Sequence, residues 1–306
     1  MADLLTPAAG TQAAETPAAE TQAAGTQAAP PDLTALARHA HHAREAIVAM
    51  CASREGGHLG GSMSLVEILV TLYFSVLRGD PAGPLTDDRD VLLLSKGHGA
   101  LALYAVLAER GVLDRAELDR YATPGGLLMG HPVRAVPGVE MPTGSLGHGL
   151  ALANGFALAA RHDNAPRRCF VIMGDGEQQE GSVWEAAMAS SSLGLDNLTA
   201  VIDRNGLQIT GRTEDTVSLE PLADRWRSFG WAVTEVDGHD LASLTSVLGA
   251  TPLQSGRPTM VIATTVKGRG LPFIEGRTES HYAKLSDRQR QRAASVLRAR
   301  AERSGI

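Results

Sequence analysis

Cysteine is scarce: among 306 residues only Cys51 and Cys169 occur. The first falls inside a helical pattern and the second opens an apolar run, so both read as reduced core residues. A disulfide framework and a cysteine-ligated zinc site are excluded as organising features. Long hydrophobic runs are also missing. The longest apolar stretch near the middle, residues 149–160, is bounded by His148 and Arg161 and falls well short of the ~20 residues a membrane span requires. No lysine or arginine precedes Arg38, so the start lacks the cationic segment of a secretory or mitochondrial leader, and a cytoplasmic location is expected. Nor is there an excess of positive charge. The net charge of −6 comes from interspersed acids and bases with no basic stripe to neutralise phosphates, and neither nucleic acid nor membrane is an expected partner.

Residues 6–30 repeat a five-residue unit rich in alanine and threonine with no large apolar side chain, so the entropy of ordering them goes uncompensated. Residues 1–30 are expected to form a disordered low-complexity tail, leaving residues 31–306 as one α/β domain with a full core. Within that domain Asp32 is a good N-cap for a helix carrying Leu33, Leu36, Ala40, Ala43, Ile47 and Met50 at helical spacing. Ser64-Leu65-Val66-Glu67 reads as the capping box of a second helix. Short runs at Val91–Leu94, Cys169–Met173, Leu198–Ile202, Trp231–Val236 and Thr259–Thr265 read as strands, and helices are expected from about Ala100, His148, Gly181, Pro221 and Leu241. Strands alternating with helices imply a parallel sheet with helices on both faces. The proline- and glycine-rich stretch from Tyr121 to Gly147 is too long for an idle connection and is a candidate binding loop. Basic, polar residues from Asp287 to Arg303 suggest a terminal helix on the surface or against another chain.

Two of these strands end in matching chemistry. Gly174-Asp175-Gly176 follows the Cys169 run and Asn205-Gly206 follows the Leu198 run, and positions just past the carboxyl ends of parallel strands face the ligand crevice of an α/β sheet. There the Asp175 carboxylate and the Asn205 amide oxygen are hard ligands suited to Mg2+, with Ca2+ or Mn2+ as substitutes, and such an ion holds a diphosphate beside it. Gly174 and Gly176 let the backbone approach phosphate oxygens with no Cβ in the way. As local structure alone, Asp175 would cap a helix and Asn205 would make a turn, but their matching order after two strands favours the metal.

The block Gly174-Asp175-Gly176-Glu177-Gln178-Gln179-Glu180-Gly181, with Trp184-Glu185-Ala186, Asp196-Asn197-Leu198 and Asn205-Gly206-Leu207-Gln208-Ile209, strongly resembles the thiamine-diphosphate signature of transketolases. Gly57-His58-Leu59-Gly60, Ser95-Lys96-Gly97-His98-Gly99, Gly130-His131-Pro132 and Gly144-Ser145-Leu146-Gly147-His148-Gly149 resemble further segments of that family, in the family order. The resemblance runs from about Pro31 to about Ser286, and ordered motifs along one chain are far more specific than a lone Gly-Asp-Gly.

This resemblance implies the thiamine-diphosphate-binding fold, with Mg2+ held by Asp175, Asn205 and the main-chain carbonyl of Leu207. It implies that His98 and His281 lie against the diphosphate and the reacting centre, while His58 and His131 hydrogen-bond substrate hydroxyls and shuttle protons. Gly144 and Leu146 match positions that meet the aminopyrimidine, and Ile209 one that packs on the thiazolium. Glu180 and Glu185 match carboxylates near the interface between paired sites. Lys267 either approaches the diphosphate or substrate or is a solvated loop lysine. The family further implies a pyrimidine-binding half that this sequence does not contain. The expectation is an N-terminal subunit completed by a C-terminal pyrimidine-binding subunit, as a heterotetramer that moves a two-carbon ketol unit from a ketose (phosphate) to an aldose. By itself the chain is expected to be inactive. Alternatives are a subunit of another thiamine-diphosphate enzyme, either 2-oxo acid decarboxylating or acyloin-forming, and a non-catalytic regulatory subunit. Three departures from the family pattern, Leu59 and Ser145 for proline and His148 for glutamine, bear on substrate identity more than on cofactor.

Overall fold

A computed structural model describes residues 32–53 and 55–306. The expected tail over residues 1–30 lies outside the described residues. Asp32 caps the first helix, α1 (Leu33–Cys51), accepting from the amides of Thr34 and Ala35 at 3.0 Å each. The expected stripe is buried apart from its first member: Leu36, Ala40, Ala43, Ile47 and Met50 face the core, while Leu33 is exposed. Two short helices follow, α2 (Leu59–Met63) and α3 (Val66–Thr71). Here the expected capping box is not made. The N-cap of α3 is Leu65, without a side-chain bond, because the Ser64 hydroxyl donates instead to the buried Asp203 carboxylate at 2.6 Å, a stronger acceptor than a backbone group.

The remaining elements alternate as expected: β1 (Val91–Leu94), α4 (Ala100–Glu109), α5 (Ala116–Asp119), α6 (Gly149–His162), β2 (Cys169–Gly174), α7 (Gly181–Ser192) and β3 (Leu198–Arg204). A small antiparallel hairpin not expected from the sequence, β4 (Leu207–Gln208) with β5 (Gly211–Arg212), leads into α8 (Thr213–Thr216) and α9 (Leu222–Ser228). The chain ends with β6 (Ala232–Asp237), α10 (Leu241–Gly249), β7 (Thr259–Thr264) and α11 (Asp287–Ser304).

Five strands pair in parallel in the order β1-β2-β3-β7-β6. Alternate side chains divide between two cores. Leu92, Phe170, Ile172, Val201 and Val261 pack under α1, α3, α4 and α10, while Leu93, Val171, Ala200, Ile202 and Met260 pack under α6, α7 and α9. The period of two thus buries both faces, as parallel sheets require. The terminal helix lies against α1 through Ala293 and Leu297, with its arginines outward. Among the described residues no helix is long and apolar enough to cross a membrane.

Register sets the site. Gly174 pairs with Asp203, and Asp203 with Ala263, so the residues that follow β2, β3 and β7 emerge side by side. Ser95, just past β1, joins them by donating its amide to Ile172 O at 2.8 Å. The long irregular stretch 121–147 is tied across these ends: Thr143 Oγ1 donates to Leu94 O at 2.7 Å, and Tyr104 Oη donates to His131 O at 2.9 Å. Gly97 permits this close approach, since a Cβ there would lie 2.7 Å from the Thr143 carbonyl carbon.

Candidate active site

A cavity of about 370 Å³ opens at these strand ends. Its walls collect His58, His98, His131 and His281, the glycines Gly144, Gly174 and Gly176, and Leu146, Asp175, Glu180, Asn205, Leu207, Ile209 and Lys267. Every site residue expected from the sequence lines it except Glu185. That residue is a correction: α7 turns Val183, Ala186 and Ala187 into the core, which leaves Glu185 exposed on another face of the helix and away from the cavity.

At one end stands the candidate metal wall. Asp175 is 2% exposed; its Oδ1 accepts from Gly176 N at 2.8 Å and its Oδ2 from Gly206 N. Arg204 Nη1 is 3.4 Å from Oδ2 and is itself tethered to Glu214 and Glu220. Burial, and then the charge of Asp203, push the Asp175 carboxyl above its usual range. Asn205 Oδ1 accepts from Leu207 N at 3.2 Å, and Leu207 O accepts from Lys267 Nζ at 3.3 Å. Among the described residues no group of three or more His, Cys, Asp or Glu side chains could hold a metal ion. A cation at this wall therefore depends on a mixed set of one carboxylate, one amide and one carbonyl oxygen, which are hard donors of the kind Mg2+ takes. A dication here would offset the burial and like charge that disfavour the Asp175 anion, so the residues fit the ion.

Sequence reasoning missed the layer beneath. Lys96 is 1% exposed and Asp203 is fully buried; they form an ion pair in which Lys96 Nζ also reaches Gly61 O at 3.2 Å. Asp203 accepts further from Ser64 and Thr265, and Asn205 Nδ2 lies 3.4 Å away. Glu177, also buried, accepts from Ser95 Oγ, from Gly147 N at 2.9 Å and from Gly174 N at 3.0 Å. One carboxylate thereby joins three separate motif segments, although burial pushes it upward against those hydrogen bonds. The available signal was position: Lys96, Glu177 and Asp203 each lie at or just beyond the end of an apolar strand.

At the other end the histidines cluster. His58 lies with its ring centroid 5.4 Å from His131, 5.4 Å from His281 and 5.8 Å from His98, and His98 is 5.5 Å from His281. A backbone bridge between Gly57 and Ala283 brings the first and last of these segments together. Burial, with the charges of His131, Lys267 and Lys96, lowers His58 to about 4. Burial and the charge of Lys267 lower His281 to about 4, and burial and Lys96 lower His98 well below the usual range. These three rings are neutral at pH 7, and a neutral imidazole both donates and accepts, which suits a hydroxyl partner. His58 Nδ1 is buried without a protein partner among the described residues. Lys267 sits 3.1 Å from His281 Nδ1; burial, then Lys96, lower its ammonium to about 8. A buried ammonium with cationic neighbours gains from an anion beside it.

The family model described as transketolase, thiamine diphosphate binding domain, matches residues 37–300. The chain belongs to the transketolase family. It is 40% identical over 260 residues to one of the two kinds of chain that make up the apulose-4-phosphate transketolase of Phocaeicola vulgatus, covering 85% of this chain and 92% of that one. It is 43% identical over 242 residues to a 6-deoxy-6-sulfo-D-fructose transketolase subunit of a Clostridium species, covering 79% of this chain and 88% of that one. The crystal structure of transketolase from Campylobacter jejuni superimposes with a TM-score of 0.76 at 28% identity, over 87% of this chain and 42% of that chain. The sheet is thus the thiamine-diphosphate-binding fold of transketolases, and the chain is a transketolase-like transferase subunit of the N-terminal kind. It spans less than half the length of that solved transketolase.

Proposed function

We propose that this chain is the diphosphate-binding subunit of a two-chain, thiamine-diphosphate- and Mg2+-dependent enzyme that moves a two-carbon ketol unit from a ketose, phosphorylated or not, to an aldose. The observation that carries this reading is the single cavity in which a hard-donor wall and a histidine cluster face each other. Bound thiamine diphosphate would supply the carbon nucleophile and electron sink for carbon–carbon bond cleavage. Asp175, Asn205 and the Leu207 carbonyl would hold Mg2+, and Lys267, His98 and His281 would bear on the diphosphate. Gly144 and Leu146 offer backbone to the pyrimidine. Ile209, 67% exposed on the β4–β5 hairpin, offers an apolar surface that a bound ring would cover. His58 and His131 would hydrogen-bond substrate hydroxyls and take or return protons there.

Several neutral imidazoles favour hydroxyl-rich substrates over a simple 2-oxo acid. The two subunit relatives are named for different ketoses, in keeping with a cavity that grips the reacting end while residues elsewhere read the distal end. A pyrimidine-binding partner would complete each site, with two copies of each chain in a cytoplasmic heterotetramer. The test is reconstitution. The chain mixed with a pyrimidine-binding partner subunit, thiamine diphosphate and Mg2+ should transfer a ketol unit from a ketose to an aldose, and the chain alone should not. Turnover by the isolated chain, or none by any such pair, would remove the reading.

A further inference from the structure

Lys267 enters the cavity from the segment that follows β7, and that segment is gripped from the side away from the cavity. The Val266 amide donates to His239 Nε2 at 2.8 Å, and Nδ1 of the same ring lies 3.0 Å from Glu67 Oε2. The amide requires a lone pair on Nε2, so the ring proton sits on Nδ1 and is donated to Glu67. Glu67 also receives Arg44 through two bonds, Nη1 to Oε1 and Nη2 to Oε2, both 2.8 Å, the two-pronged geometry that holds a guanidinium most firmly. The third arm of Arg44 completes the circuit, with Nε donating to Arg269 O at 3.2 Å.

Three side chains, from α1, from α3 and from the turn between β6 and α10, thus hold the backbone on either side of Lys267, at residues 266 and 269. Exposure of these side chains is only 9% for Arg44, 10% for Glu67 and 7% for His239, and none of them lines the cofactor cavity. The local sequence is fitted to the grip. Gly270 has φ +102°, and a Cβ there would lie 3.0 Å from both Cδ and Nε of Arg44, so this glycine serves both an unusual backbone angle and the packing of the arginine.

We propose that Arg44, Glu67 and His239 are positioning residues for Lys267: they set the backbone from which its ammonium is aimed at the diphosphate end of the cavity. The proposal rests on the diphosphate reading given above. Lysine carries a flexible stem, so where Nζ sits depends on where its Cα is held. Here Nζ bridges Leu207 O at 3.3 Å and His281 Nδ1 at 3.1 Å. Loss of the grip should be felt as weaker binding of an anion, not as lost proton transfer.

The test is calorimetric titration of inorganic pyrophosphate with Mg2+ into the full chain. It compares wild type, His239→Leu and His239→Gln, and the same two changes in a Lys267→Met background. His239→Leu should weaken binding about tenfold, the order by which supporting residues tune a ligand. Glutamine can accept from Val266 N–H and donate to Glu67, so His239→Gln should stay within about twofold of wild type. In the Lys267→Met background His239→Leu should cost little more, because the lysine through which it acts is gone. Should His239→Leu not fold, Glu67→Gln breaks the same circuit and should weaken binding similarly. An equal cost in both backgrounds, or a glutamine variant as weak as the leucine one, would reduce the three residues to general structure. Failure of wild type to bind pyrophosphate would overturn the diphosphate reading, and this proposal with it.

Discussion

Lys96→Met tests the layer beneath the cavity. Methionine matches the lysine stem in length and apolar character, so the change removes the ammonium with little loss of packing. What remains is Asp203, fully buried, with Ser64 at 2.6 Å, Thr265 and a long contact from Asn205 at 3.4 Å as its donors. Gly61 O loses its 3.2 Å partner as well. Breaking a buried pair by removing one partner costs roughly 3–5 kcal/mol, because an uncompensated charge is left behind. For a domain of this size that corresponds to a fall of roughly 6–20 °C in melting temperature. Urea unfolding followed by circular dichroism, with a thermal scan, reads both quantities. A second change separates charge from shape. Lys96→Met with Asp203→Leu should recover part of the loss, since no unpaired charge remains, but not all of it, since Ser64 and Thr265 lose their acceptor. A Lys96→Met variant within about 1 kcal/mol of wild type at pH 7 would show that the pair is not the buried electrostatic support described above.

Asp175→Ala should abolish Mg2+-dependent binding of thiamine diphosphate in the reconstituted complex, exceeding the ~10–100-fold that outer partners cost, while Asn205→Ala, removing a neutral ligand, should weaken it less; calorimetry ranks the two. His58→Ala should keep cofactor affinity but lose ~10²–10⁴-fold in ketol-transfer rate, and His98→Ala should lose both; equal loss of affinity in the two variants would contradict the division of roles. Acid should destabilise the fold through Glu67. Burial pushes that carboxyl up, but the charge of Arg44 and the hydrogen bonds from His239 and Arg44 outweigh it and bring it from 4.5 to about 2. Its contribution is present above the unfolded value and is lost as pH falls from about 4.5 towards 2, roughly 3 kcal/mol at ~1.4 kcal/mol per pH unit. Unfolding free energies of wild type and Glu67→Gln across that range should show the variant with the flatter pH dependence.

Where apolar periodicity decides the outcome, the sequence is a good guide. The strands at Val91 and Cys169 begin where their runs begin, α4 spans the expected residues, and α11 carries a capping box between Ser286 and Gln289. Where a polar side chain had two possible partners, the sequence misled. Ser64 looks like an N-cap and serves Asp203; Glu67 looks like the other half of that cap and pairs with Arg44 and His239. Those partners are far away in the chain, so no local pattern announces them. Glu185 failed for a related reason. Its place in a motif is a matter of sequence, but its direction depends on which face of α7 the core selects.

By itself the sequence determined the class of fold, the order of its strands and helices, and the chemical identity of the site. Period-two and helical burial patterns, together with Asp, Asn, His and Gly after apolar runs, are properties of neighbouring residues. Only the tertiary structure decided that His58, His98, His131 and His281 share one cluster and that Lys96 and Glu177 support it. It also decided that Lys267 is aimed by side chains outside the cavity. These depend on parallel register and on the bridging of distant segments, where burial makes each unmatched charge or donor costly and so selects partners that proximity along the chain cannot.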